Sequence, residues 1–151
     1  MAVSLGIEVI VLDHITAAAT GMLGSMNDNE RLLIDSLMKE LRSLVSRTGV
    51  HIHIVSQLVK NGKAFEEGER ITMQDLRGSG SLASVPNTVI ALERNRQDPD
   101  EVVKNTTTVR VLKNRLTGKC GIASALYYNH NCGRLEEVEY QESDAGNVTF
   151  N

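Results

Sequence analysis

A strand–helix–strand order, written into the first 56 residues, constrains this chain more than any other feature. Residues 7–12 read IEVIVL, a short apolar run rich in β-branched residues that ends in Asp13 and His14. Such a run fits a strand buried on both faces, as in a parallel sheet. Across residues 29–48, Leu33, Leu37, Leu41 and Leu44 recur at spacings of four and three, with Ile34, Met38 and Val45 beside them. That is one apolar stripe on a helix. Asn27 and Glu30 have the spacing of a capping box, and Gly49 is the expected stop. Residues 50–56, VHIHIVS, return to a strand. The small-residue stretch TAAATGMLGSMND between the first strand and the helix reads as a mobile loop.

The second half changes character. KNGKAFEEGER is glycine-bearing and charged and reads as a flexible loop. ITMQDLRGSGSLASVPN is a compact connector with a short helix or turn. Strands are expected at 87–94 and 106–113, separated by the polar, turn-rich RNRQDPDEVVKN. Residues 122–129 and 134–138 flank the turn HNCG and close a hairpin. Residues 139–151 are acidic and polar and are expected to fray. The fold class that follows is α/β: a parallel sheet with a helix crossover, then an antiparallel C-terminal hairpin. Residues 1–138 form the domain and 139–151 its tail.

Composition narrows the function classes. The 151 residues suffice for one domain with a core, but aromatics are 3% and Trp is absent, so Val, Ile, Leu, Met and Ala must fill it. The net charge of −3 excludes a polycation, so any nucleic acid must be met by local basic loops. Cys120 and Cys132 form no CxxC pair, which suits free thiols in a reducing compartment. No apolar run reaches membrane-spanning length. A soluble, cytoplasmic protein without a membrane partner is expected, of a bacterium or a phage-infected cell rather than a mitochondrion.

Four segments could carry chemistry. Asp13 ends an apolar strand, at the edge where open α/β sheets bind ligands, and could hold Mg²⁺ through water beside nucleotide phosphates. Gln57 ends the next strand and could contact a γ-phosphate or its attacking water. In QDLRGSGSL, Gly78 and Gly80 bracket Ser79 and let the backbone turn tightly or approach another chain. In LKNRLTGK, Lys113 and Arg115 share one strand face, where two cations could reach a neighbour's phosphate. Each segment taken alone is also what an ordinary cap, turn or solvated basic loop carries. His51 and His53 have ligand-like spacing, but no carboxylate or cysteine cluster accompanies them, so hydrogen-bonded imidazoles are expected instead. The sequence contains no GxxxxGK[ST] phosphate loop.

In combination and in order, VIVLDH, HIHIVSQL, DLRGSGSLASVPNTVIALERNRQ and VRVLKNRLTGKCGIA resemble the C-terminal part of the DnaB-like superfamily 4 helicases. The nearest kin are the phage bifunctional primase-helicases and their mitochondrial relative Twinkle. The resemblance covers residues 5–137. It implies a partial RecA-like P-loop NTPase core that uses ATP or a dTTP-like nucleotide with Mg²⁺. Single-stranded DNA and the neighbouring subunits of a hexameric ring would be its partners. Asp13 matches the Walker B aspartate, and Gln57 the γ-phosphate sensor, which is a histidine in many phage relatives. Arg115 matches the arginine finger, with Lys113 its companion. Lys60, Lys63, Arg77, Gly78, Gly80 and Arg94 match channel positions that contact DNA. The Walker A lysine and threonine and the catalytic glutamate lie upstream of residue 1 in the family, and residues 1–4 would begin inside a preceding helix. The chain alone is therefore expected not to hydrolyse ATP, and a separate chain carrying Walker A is a possible partner. Two alternatives stay open: a non-catalytic DNA-binding or ring-joining subunit, and another RecA-like ATPase such as a recombinase.

Overall fold

The computed structural model describes residues 6–23, 30–59, 62, 64–77, 80–142 and 148–150. The expected preceding helix at residues 1–4, and Asn27 of the capping box, lie outside the described residues. The chain divides into two compact units, Met1–Val59 with Gln74–Pro86, and Lys60–Met73 with Asn87–Asn151.

The first unit begins with β1 (Val9–Leu12), α1 (Ile15–Leu23), α2 (Glu30–Thr48) and β2 (His51–Ile54). β1 and β2 pair in parallel, Val9 opposite His51 through Leu12 opposite Ile54, as the strand–helix–strand order predicts. α2 stops where expected: Gly49 takes φ +72° and donates its N–H to the Val45 carbonyl at 2.8 Å. The core joins Ile15 and Ala19 of α1 to Ile34, Leu37 and Met38 of α2 and to Leu82 of α3 (Gly80–Ser84), with Leu12, Ile54 and Leu76 packed against it.

Two expectations fail here. The stretch read as a mobile loop forms α1 over its first nine residues. Alanine is the best helix former, and Ile15 and Ala19, four apart, bury one face of the helix. Nor is β1 buried on both faces: Val9 and Val11 are 53% and 67% exposed. β1 hydrogen-bonds only to β2, and among the described residues nothing covers the face that carries these two valines.

The second unit is built on an antiparallel sheet in the order β3 (Thr88–Glu93), β4 (Thr106–Asn114), β5 (Gly121–Asn129) and β6 (Arg134–Val138). The switch from parallel to antiparallel pairing agrees with the sequence. One sheet face buries Ala91, Glu93, Thr106, Thr108, Arg110 and Ala125. The polar segment before β4, read as turns, contains α4 (Glu101–Asn105). Its N-cap Asp100 accepts from the Val102 and Val103 amides at 2.7 and 3.3 Å. The loop read as flexible is fastened over its later residues. Arg96 donates its N–H to the Glu66 carbonyl at 2.8 Å, and Glu67 bridges to Asn95. Gly68, at φ +86°, lies so near Asn95 that an added Cβ would stand 3.0 Å from its Cβ. The segment expected to fray carries β7 (Tyr140–Glu142) and β8 (Val148–Phe150), paired antiparallel, because ladder hydrogen bonds replace solvent there.

Candidate functional site

The carboxyl edge of the parallel pair gathers Asp13, His14 and Gln57. The ladder continues past the strands: Val55 donates to the Leu12 carbonyl at 2.9 Å, and Ile15 donates to the Val55 carbonyl at 3.0 Å. Asp13, exposed, and Gln57 therefore leave neighbouring strand ends on the same edge. The peptide bond joining Asp13 to His14 is cis. His14 Nδ1 accepts from the Ala17 amide at 3.3 Å, closing the first turn of α1. Its Nε2 lies 3.4 Å from the Gln57 side-chain amide. Sequence reasoning passed over His14. Its position directly after a strand-ending aspartate, and directly before a helix, was the available signal.

Gln57 is also held by its backbone. Arg77 donates its N–H to the Gln57 carbonyl at 3.0 Å, Leu58 bridges to Leu76, and Val59 donates to the Asp75 carbonyl at 2.8 Å. The Arg77 guanidinium makes two bonds to the Glu30 carboxylate at the start of α2, 3.1 and 3.2 Å long. Arg77 and Glu30 side chains are 45% and 36% exposed, so the pair contributes only about 0–1 kcal/mol. Gly80 opens α3 without a positive φ, and nothing stands within 4 Å of where its Cβ would be. Lys60, Lys63 and Gly78 lie outside the described residues.

In the second unit, Arg94 is turned toward the end of α4. Its Nε donates to the Lys104 carbonyl at 2.6 Å and Nη2 to Asn105 Oδ1 at 2.9 Å, so it caps that helix rather than standing out in solvent. Asn105 Oδ1 also contacts His130 Nε2 at 3.0 Å.

Lys113 and Arg115 stand where β4 leaves the sheet. Arg115 prolongs the pairing with an N–H bond to the Asn87 carbonyl at 2.8 Å. The turn beyond is organised by Asn114, whose Oδ1 accepts from the Leu116 and Thr117 amides at 3.1 and 3.3 Å. This is an Asx turn, the local bond that asparagine is suited to make. Gly118, at φ +70°, completes it by donating to the Asn114 carbonyl at 2.8 Å. Burial, and to a lesser extent the Arg115 charge, lowers the Lys113 pKa below the usual lysine value. The two cations thus feel each other, as expected of residues on one strand face. Asn114 was not singled out in the sequence, although an asparagine opening a turn is a recognisable signal.

His51 and His53, expected to be hydrogen-bonded, instead meet edge-on with ring centroids 4.6 Å apart. Among the described residues no cluster of three or more His, Cys, Asp or Glu could hold a metal. Asp13 offers a single hard oxygen donor, which fits Mg²⁺ held through water alongside phosphate oxygens but no all-protein cage. Cys120 and Cys132 are free and exposed, as expected. No helix among the described residues is long and apolar enough to cross a membrane.

Comparison with known proteins agrees with this arrangement. The chain is 41% identical over 152 aligned positions to the DNA helicase/primase of Enterobacteria phage T3. The alignment covers 97% of this chain and 26% of that protein, so the chain spans about a quarter of its relative's length. A DnaB-like replicative helicase, solved in a study of its interactions with primase, superimposes with a TM-score of 0.69 at 22% identity, over 87% of this chain and 30% of that one. A second solved structure, an isolated ATPase domain, gives 0.68 at 23% identity, over 87% and 44%. These two likenesses establish a shared fold. Residues 1–137 match the DnaB-like helicase C terminal domain, and the chain belongs to that family.

Proposed function

We propose that these residues are the part of a replicative DNA helicase motor that holds Mg²⁺ and reads the γ-phosphate within one subunit and reaches the nucleotide of the next. The observation that carries this reading is the meeting of Asp13 and Gln57 at one strand edge, with His14 against the Gln57 amide. Family membership and the phage helicase/primase relative support it.

ATP or a dTTP-like nucleotide would lie at this edge. Asp13 would hold Mg²⁺ through water, and the bound ion would offset charge on the phosphates. The Gln57 amide would hydrogen-bond the γ-phosphate or the attacking water. Arg115, with Lys113 beside it, would neutralise developing charge on the nucleotide of a neighbouring subunit in a hexameric ring. Fingers of this kind contribute roughly 10³–10⁵ in rate. The Asn114 turn suits that role, because a finger stabilises the transition state only if it is held in place beforehand.

Single-stranded DNA is the proposed track. Lys60 and Lys63 would contact phosphates from the loop that follows Gln57, giving binding with little sequence preference. Arg77 would join them by exchanging Glu30 for a phosphate, which the weakness of an exposed ion pair permits. Gly80 would allow the DNA backbone to come close.

The 151 residues contain no GxxxxGK[ST] loop, so the chain alone would not turn over nucleotide and would need that loop from another segment or chain. The test is hydrolysis of ATP and dTTP by the purified chain, with and without single-stranded DNA, beside an Arg115→Ala control. No turnover is expected. DNA-stimulated turnover that Arg115→Ala abolishes would mean that another element of this chain cradles the phosphates.

A further inference from the structure

We propose that His14 is a positioning residue that fixes which end of the Gln57 amide faces the nucleotide, an inference that rests on Gln57 acting as the phosphate sensor. The argument begins at the other side of the ring. His14 Nδ1 accepts from the Ala17 amide at 3.3 Å, and a ring nitrogen that accepts carries no proton. In the neutral ring the proton then sits on Nε2, which lies 3.4 Å from the Gln57 amide. A donor at Nε2 requires an acceptor opposite, so the amide oxygen takes the position nearer the ring. The amide NH₂ is left to the other side, and it is the only part of that side chain able to donate to a phosphate oxygen.

Both partners are restrained. Ile15, next to His14, is completely buried, and its N–H is bonded to the Val55 carbonyl at 3.0 Å. The Gln57 carbonyl is bonded to the Arg77 N–H at 3.0 Å. The ring therefore links the start of α1 to the sensor through two nitrogens with distinct tasks: Nδ1 caps the helix and Nε2 orients Gln57. Had the ring carried its proton on Nδ1, the Gln57 oxygen would turn outward and repel an anion.

Two substitutions separate the tasks. His14→Asn keeps an acceptor near the Nδ1 position, and with it the cap, but does not reach Gln57. His14→Gln reaches toward the Nε2 position and restores an amide contact with Gln57. In the isolated chain, nitrogen NMR of the neutral ring should show His14 protonated on Nε2. The Gln57 side-chain NH₂ signals should move in His14→Asn while thermal stability holds. In the assembled helicase, His14→Asn should lower DNA-stimulated kcat about tenfold, with KM little changed, and His14→Gln should recover most of it. A ring protonated on Nδ1, unmoved Gln57 signals, or wild-type kcat in His14→Asn would overturn the inference. A Gln57→Ala control isolates the underlying reading: wild-type turnover there would defeat Gln57 as sensor, while the NMR result would still decide which atom of its amide His14 meets.

Discussion

Arg110 Nε lies 2.9 Å from Glu93 Oε2, and the two side chains are only 4% and 8% exposed. This ion pair sits on the buried face of the antiparallel sheet, where Glu93 Oε1 also accepts the Ile71 amide at 2.9 Å. The carboxylate thereby fastens the end of the loop that follows Gln57 to β3.

Removing one partner leaves the other charged and buried. Arg110→Ala should therefore lower unfolding free energy by about 3–5 kcal/mol. Replacing both residues with apolar side chains of similar volume should recover much of that loss. Chemical denaturation of the three variants checks this, and an additive double variant would show that the pair is not coupled.

Gly80→Ala should fold normally. The added Cβ meets nothing within 4 Å and the backbone there has no positive φ. Stability should hold or rise by up to ~1 kcal/mol, the helix-propensity difference between the two residues. If Gly80 serves close approach of a DNA backbone, the same variant should bind single-stranded DNA more weakly, as a filter-binding or anisotropy titration would reveal. Clear destabilisation would instead assign this glycine to the fold.

Asn114→Ala removes the acceptor for the Leu116 and Thr117 amides. The expected loss of stability is small, about 0.5–1.5 kcal/mol per bond. Arg115-dependent turnover of the assembled helicase should fall by considerably more than Tm, since the turn sets where Arg115 stands. Asn114→Asp, which keeps the acceptor, should retain most of the turnover.

Lys113 has a folded-state pKa lowered first by burial and then by Arg115. The charged lysine is thus less favoured folded than unfolded. Between the lowered value and the usual lysine value the unfolded chain binds more protons, so this residue makes stability rise with pH across that window. Below the window the destabilisation is fully present, and above it none remains. Arg115→Gln should move the Lys113 titration upward but, burial being the larger cause, not fully to the usual value. NMR of labelled lysine side chains measures this, and an unchanged or lower midpoint would contradict it.

Much of the fold could be read from the sequence because it is written in local pattern. The α2 stripe, the Gly49 stop and the change from parallel to antiparallel pairing are all set by spacing and turn chemistry. α1 was missed because small residues signal both loops and good helices, and only the burial of Ile15 and Ala19 decides between them. Buried faces on both sides of β1 were expected from its apolar run, yet a run of this kind records what a strand can tolerate and not what covers it. At the site, motif and resemblance led to Asp13, Gln57 and Arg115. The Gln57–His14 contact joins residues 43 apart, and the Glu93–Arg110 pair residues 17 apart. No local pattern announces either contact. The capping role of Arg94 is equally hidden, because its partners at the end of α4 come ten and eleven residues later.

The central claim is that one chain gives Asp13 to its own nucleotide and Arg115 to its neighbour's. The most direct measurement mixes two variants of the assembled helicase, Asp13→Ala and Arg115→Ala, each inactive alone. If the residues act from different subunits, mixed rings contain interfaces where an intact Asp13 faces an intact Arg115. DNA-stimulated hydrolysis should then appear on mixing and depend on the ratio of the two. Mixed rings that form, as shown by co-purification of differently tagged subunits, and yet remain inactive at every ratio would contradict the account.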